Sequence, residues 1–240
     1  MWLNLRAYSK RTRLASAIAP GIQIGDSCAL ASGVSTVVTG WRIHVDKGIM
    51  VETNAHIAVV IGSTRPNRIC PGIAEWIRDV AQEGSSLHYS LLDLADVHLP
   101  FLDEPFMAAL ERYEHEHTRE WSRIVRAFDG FIFVFPQYNW GYPGALKNAL
   151  DYLYDEWRAK PASLATYGTR GGNRGARQLN EVLQGLHMNL LEDHLEIVIT
   201  EDDVDEEWQL RDLSAVMAPY VEQTQRIDAQ MTEAIKSNAT

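Results

Sequence analysis

Three short stretches hold the residues whose types and spacing could do chemistry: "GSTRPNR" at 62–68, "PQYNWGYPG" at 136–144 and "GTRGGNRG" at 168–175. The first offers backbone N–H groups, the hydroxyls of Ser63 and Thr64, and the guanidiniums of Arg65 and Arg68, just ahead of an expected helix start. Exposed donors, a helix dipole and positive charge together hold an anion. The spaced Gly-Lys-Ser/Thr ending of a P-loop is absent, and so is G-x-G-x-x-G. Taken alone, the stretch serves equally as a polar turn before a capped helix. The second stretch, with Pro136, Gln137, Tyr138 and Asn139, combines backbone donors and acceptors with flat aromatic surfaces. Those suit a planar heteroaromatic ring gripped along its polar edge; a rigid turn with Tyr and Trp packed on the core would use the same residues. The third, with Gly168, Thr169, Arg170, Gly171 and Gly172, allows close backbone approach to a ligand because glycine has no Cβ. A flexible loop before a helix is its plain alternative.

The elements around these stretches place them together. "HIAVVIG", "LHYSLLDL", "GFIFVF", "ASLATYG" and "LEIVIT" are short apolar runs of the kind that form buried parallel strands. Between them lie helical patterns, with Ile73, Trp76, Ile77 and Val80 at the spacing of one helix face. Helices are expected over residues 106–128, 142–157, 176–186 and 208–235. Alternating strands and helices predict an α/β fold: a doubly wound, five-stranded parallel sheet of order 2-1-3-4-5. Ligands bind such sheets beyond the carboxyl ends of the strands. The three stretches follow the first, third and fourth strands, so one edge should carry all of them. An anion cradle and two ring-edge loops in one crevice describe a site for flavin mononucleotide.

The chain also resembles the NADPH-dependent FMN reductase family of flavodoxin-like proteins, over about residues 55–200. "GSTRPNR" resembles its phosphate loop. "PQYNWGYPGALKNALDYLYDEW" resembles its P-x-Y-N-x-x-x-P-x-x-L-K-N-A-x-D signature, and "YGTRGGNRGARQL" its Gly-Gly loop beside the flavin. The resemblance implies that Ser63, Thr64, Arg65 and Arg68 hold the phosphate of FMN. It implies that Pro136, Gln137, Tyr138 and Asn139 line the isoalloxazine, and that Gly168, Thr169, Arg170, Gly171 and Gly172 meet its other edge. Gln137 departs from the Glu of many members and removes a charge near the ring. Lys147, Asn148 and Asp151 match the motif on the helix that follows and read as structural.

The implied activity is an NAD(P)H oxidoreductase. Hydride would pass from NADPH (or NADH) to flavin N5, and electrons then to a small-molecule acceptor such as free flavin, a quinone or an azo compound. Such a ping-pong cycle requires no catalytic side chain. A non-enzymatic electron carrier or redox-sensing FMN module is the alternative. Members of the family commonly pair, so a homodimer or homotetramer is expected, with Trp140 at the interface and residues 95–105 walling the pocket.

Composition narrows the rest. Lys and Arg total 22 against 32 Asp and Glu, a net charge of -10, which argues against nucleic-acid binding. Two cysteines, Cys28 and Cys70, form neither a disulfide framework nor a zinc site, which fits a reducing cytoplasm. No run of 18 apolar residues predicts a membrane span. Residues 1–49 carry six basic and two acidic side chains, unlike the acidic remainder, and lack sustained periodicity. Residues 1–54 are therefore expected to be an extension, or a mis-assigned start, ahead of an FMN-binding domain at 55–240. "GDSCAL" at 25–30 suggests a hydrolase nucleophile but lacks the C-terminal Asp-x-x-His. His115 and His117 at i,i+2 should face different sides of a helix. The acidic run 201–207 lacks an EF-hand's glycine and is expected to be a solvated linker.

Overall fold

The computed structural model describes residues 55–238. The expected extension 1–54, with Cys28 and "GDSCAL", lies outside the described residues.

The strand β3 (Gly130–Pro136) is buried at every position. It has strands on both edges and helices on both faces, so no side of it meets solvent. Its side chains alternate between two cores. Ile132 and Val134 pack with Ile73 and Ile77 of α1 (Cys70–Gln82) and with Ile227 and Met231 of α7 (Val221–Asn238). Phe131, Phe133 and Phe135 share the opposite layer with Trp121 of α3 (Glu116–Arg126), Leu146 of α4 (Gly144–Asp151) and Leu179 of α5 (Asn173–Gly185).

β1 (His56–Ile61), β2 (His88–Asp93) and β4 (Pro161–Gly168) complete the main sheet, every pairing is parallel, and the one-turn helix α2 (Leu94–Val97) follows β2. The order is β2-β1-β3-β4-β5, as expected. The chain leaves β1 toward β2 and returns to β3 on β1's other side. The carboxyl ends of β1 and β3 thus flank the switch point where a crevice opens.

Four elements differ from the sequence expectations. The fifth position is divided: β5 (Asn189–Leu190) pairs with the start of β4, and β6 (Leu195–Val198) with its end. Between them the Asp193 carbonyl accepts from the Ser163 hydroxyl (2.8 Å), and the Asp193 N–H donates to Gln230 of α7 (3.0 Å). Those partners draw this segment off the ladder. The helix expected over 106–128 begins only at Glu116, because Glu104 fixes its start by accepting from the N–H groups of Glu114 (2.8 Å) and His115 (3.0 Å). His115 is consequently the cap rather than a helical residue. Its ring stacks on His117 at 5.2 Å instead of facing away. The helix expected over 142–157 is α4 followed by a separate 3₁₀ turn, Asp155–Trp157. The last helix is preceded by α6 (Leu213–Met217) and a 3₁₀ turn, Ala218–Tyr220, where Pro219 has no N–H to continue the ladder.

Candidate functional site

The 62–68 loop leaves β1 at the crevice. Gly62 anchors it, donating to the Val134 carbonyl at 2.8 Å. Ser63 is fully buried, and its hydroxyl meets the Tyr138 hydroxyl at 3.0 Å. This bond joins the loop after β1 to the loop after β3. Arg68 is held by Asp93, the last residue of β2, through one terminal nitrogen. Its Nε is buried and has no acceptor. Arg65 is exposed and makes no ion pair among the described residues. The helix α1 that follows has no side-chain cap and no acidic residue in its first turn. Its N–H groups and dipole are left facing the loop.

The 137–143 loop is a two-residue hairpin turn. Tyr138 and Gly141 exchange backbone bonds of 2.8 and 2.9 Å, with Asn139 (φ 48) and Trp140 (φ 71) left-handed between them. Asn tolerates that backbone. Trp does so at a cost of about 1–2 kcal/mol. The Arg174 guanidinium lies over the Trp140 ring at 3.8 Å and offsets part of that cost. The Gln137 side-chain oxygen is engaged inside the protein. That oxygen accepts from the N–H groups of Arg174 and Gly175, both at 3.0 Å, and caps α5. The amide does what a carboxylate would do there, without the charge.

The glycines after β4 answer to their own turn. Gly171 (φ 69) and Gly172 (φ 78) are left-handed, and a Cβ on Gly172 would sit 2.2 Å from the Thr166 hydroxyl oxygen. Packing inside the protein therefore requires glycine at 172, whatever lies outside. Thr169 and Arg170 are exposed at the tip of this turn.

A cavity of about 440 Å³ opens between the first two loops. Arg65, Arg68, Pro136 and Tyr138, all expected site residues, line it. Tyr167, Glu207 and Trp208 line it as well. Thr64 faces a second hollow of about 280 Å³ beside His98, Leu99 and Asn148. Ser63, Gln137, Asn139 and the 168–172 turn do not line the first cavity. Burial pushes the Cys70 thiol, beneath the loop, up to about 11, and raises the Tyr167 hydroxyl further. Both stay neutral near pH 7, so neither adds negative charge to the cavity.

Tyr167 and Asp93 were legible only as strand ends. Glu207 ends the acidic run, and Trp208, expected to begin the last helix, follows it; the run is not a solvated linker. It forms a hairpin tied to the first loop by a bond from the Gln209 side chain to the Asn67 carbonyl (3.0 Å). A tryptophan closing a run of acidic residues was the available signal. The matched motif residues on α4 bond within the protein. Lys147 pairs with Asp151, and Asn148 donates to the Pro100 carbonyl at 2.6 Å and accepts from the Leu102 N–H at 3.0 Å.

A parallel sheet with an anion loop and an aromatic wall at its switch point defines a nucleotide-binding α/β protein of the flavodoxin-like class. Residues 55–200 match the NADPH-dependent FMN reductase family, and the chain belongs to it. It is 40% identical over 146 residues to an NAD(P)H-dependent FMN reductase of Saccharomyces cerevisiae, covering 56% of this chain and 76% of the relative. It is 30% identical over 135 residues to a quinone reductase of Pseudomonas putida, covering 51% and 67%. Among solved structures, the flavoenzyme NAD(P)H:(acceptor) oxidoreductase of Paracoccus denitrificans superposes with a TM-score of 0.59. That match has 20% identity and covers 75% of this chain and 98% of that one.

Membership makes the protein an oxidoreductase that uses FMN and a reduced nicotinamide. The residues present fit FMN. The buried Arg68 Nε lacks an acceptor, the α1 N-terminus is uncapped, and a phosphate would satisfy both. Pro136, Tyr138 and Tyr167 give the same cavity an apolar, aromatic side for the rest of the molecule.

Proposed function

We propose that this chain is an NAD(P)H oxidoreductase working in two half-reactions. NAD(P)H enters first; a small-molecule acceptor, such as a quinone, free flavin or an azo compound, enters second. The observation that carries the FMN reading is the unpartnered Arg68 Nε, buried beside an uncapped helix N-terminus. Bound FMN supplies the two-electron chemistry. The chain's own residues bind and orient. Arg68, fixed by Asp93, and Arg65 take the phosphate. Tyr138, locked to Ser63, and Pro136 set the position of the ring side. Asn139, Trp140 and the Gly168, Thr169, Arg170, Gly171 and Gly172 turn form the rim, with the Gln137 cap holding loop and helix in register. Arg174, stacked on Trp140, adds positive charge to that rim. No side-chain acid or base is required.

The quinone reductase relative supports a quinone as acceptor. We place the catalytic domain at 55–240 and treat residues 1–54 as an extension to it, since the family match begins at residue 55. Cys70 is a free buried thiol, and no described helix is long and apolar enough to cross a membrane; both support the cytoplasm. We place two copies, or a pair of such dimers, in the working assembly.

The test is equilibrium binding of FMN and riboflavin, followed by steady-state NADPH oxidation with a quinone. FMN should bind far better than riboflavin. Arg68→Met should lower that preference at least tenfold, since a charge-assisted bond contributes about 1.5–3 kcal/mol. Rates at several quinone concentrations should give parallel double-reciprocal lines. Equal affinity for both flavins removes the phosphate assignment, and intersecting lines remove the two-half-reaction cycle.

A further inference from the structure

The family match ends at residue 200, yet residues beyond it complete the cavity. Thr200 starts a tight turn, its N–H and hydroxyl both reaching Asp203 at 2.7 Å. The chain then doubles back, and Val204 bridges Leu210. Asp205 builds the tip. Its carboxylate accepts from the N–H groups of Glu207 (3.0 Å) and Gln209 (2.8 Å), and its own N–H donates to the Gln209 carbonyl (2.9 Å). Arg211 locks the base through the carbonyls of Val204 (2.7 Å) and Asp203 (2.9 Å). The Gln209 side chain ties the hairpin to Asn67, between Arg65 and Arg68. The hairpin therefore stands at the phosphate end of the cavity.

Its tip carries two residues that serve neither folding nor solubility in an obvious way. Trp208 is 63% exposed and left-handed (φ 60), which a bulky side chain adopts at a cost. A strained, exposed indole at a ligand cavity is the kind of feature kept for contact. Glu207 brings a carboxylate to a cavity lined by Arg65 and Arg68. For binding a phosphate alone, that charge is unhelpful.

We infer that this hairpin selects the flavin: it closes the phosphate end around a mononucleotide and turns away the dinucleotide FAD. The inference rests on the FMN reading of the cavity. FMN ends at its phosphate. FAD continues from the same phosphate through a second one into adenosine. With its first phosphate between Arg65 and Arg68, that continuation would have to pass the 65–69 edge, where the hairpin is tied down. Trp208 obstructs the exit, and Glu207 meets the second phosphate with like charge. Selectivity of this sort comes from a clash and a repulsion against the wrong ligand as much as from contacts to the right one.

Equilibrium dialysis of the full chain against FMN, FAD and riboflavin tests it. The variant combines Glu207→Gln with Trp208→Gly; glycine suits the left-handed backbone, so the fold should be kept, which a melting curve verifies. The wild type should prefer FMN to FAD. The variant should lower that FMN-over-FAD ratio about tenfold or more, mainly by gaining FAD, while keeping its preference for FMN over riboflavin. Gln209→Ala, which unties the hairpin from Asn67, should shift the ratio the same way by a smaller factor. A ratio unchanged in both variants overturns the inference. So does an equal loss of FMN and FAD, or a wild type that takes FAD as well as FMN. A wild type without preference for FMN over riboflavin fails the cradle itself, which is a separate result from a failed hairpin.

Discussion

The side-chain oxygen of Gln137 sits at the positive end of α5, bonded to two N–H groups at 3.0 Å. That position explains why either an amide or a carboxylate can stand there. Gln137→Ala should cost about 1 kcal/mol, as losing a helix cap does. Gln137→Glu should hold or gain stability by about 0.3–1 kcal/mol through the helix dipole. Urea midpoints of the three proteins decide it; an alanine variant as stable as the parent would remove the cap. Arg65 and Arg68 were legible as candidates from residue type and local spacing, because an anion loop is a local device. The partner that fixes Arg68 was not. Asp93 lies 25 positions away and meets it only once β2 pairs with β1. The same limit hid the bond between Ser63 and Tyr138, and it hid Thr166 behind glycine 172, which by itself requires glycine there.

At the scale of elements, the strands were the clearest feature of the sequence, since a continuous apolar run has few other places to go. Helix ends were less clear, because distant side chains set them: Glu104 starts α3, and Gln230 helps divide the fifth strand position. One such junction gives a pH prediction. Lys160, just before β4, donates to the Val125 carbonyl near the end of α3 at 2.8 Å and lies 5.6 Å from the Phe131 ring centre. Burial lowers its pKa to about 8, against 10.5 for the free side chain. Below about pH 8 both folded and unfolded chains hold the proton, and the folded state carries the full cost of the buried charge. Between about 8 and 10.5 the folded chain has released a proton that the unfolded chain keeps, so stability rises with pH across that window. Denaturant titrations at pH 7, 8, 9 and 10 should show this rise in the wild type relative to Lys160→Met. Identical pH dependence in the two proteins would mean that Lys160 is not desolvated.

On the whole molecule, the doubly wound order and the edge that gathers the candidate loops were predictable, because alternating strands and helices leave few arrangements that bury both faces of a sheet. The segment 99–110 was legible only in part. Residues 95–105 were expected to be a loop walling the pocket and 106–110 to open a helix, and instead the segment presents apolar side chains outward: Phe101 is 90% exposed and Met107 70%, with Leu102 and Leu110 also open. Nor is it loose. Asn148 bonds it twice, Tyr152 reaches the carbonyls of Pro100 and Phe101, and His117 holds Asp103 at 2.9 Å. A firmly tethered apolar loop beside the second hollow is costly to leave in water. A second copy would cover it, and a stable pair buries about 1,200–2,000 Å² in all. The net charge of -10 opposes association, so a pair would form only where the apolar contact outweighs it. Light scattering at micromolar concentration should find a dimer, or a dimer of dimers, for the full chain and equally for a chain begun at Met50. Phe101→Asp should shift the mass toward monomer and lower turnover together, and Trp140→Ala should do so less strongly, by up to about 2 kcal/mol of association energy. A wild-type monomer that oxidises NADPH at full rate would end the assignment of this face to a second subunit.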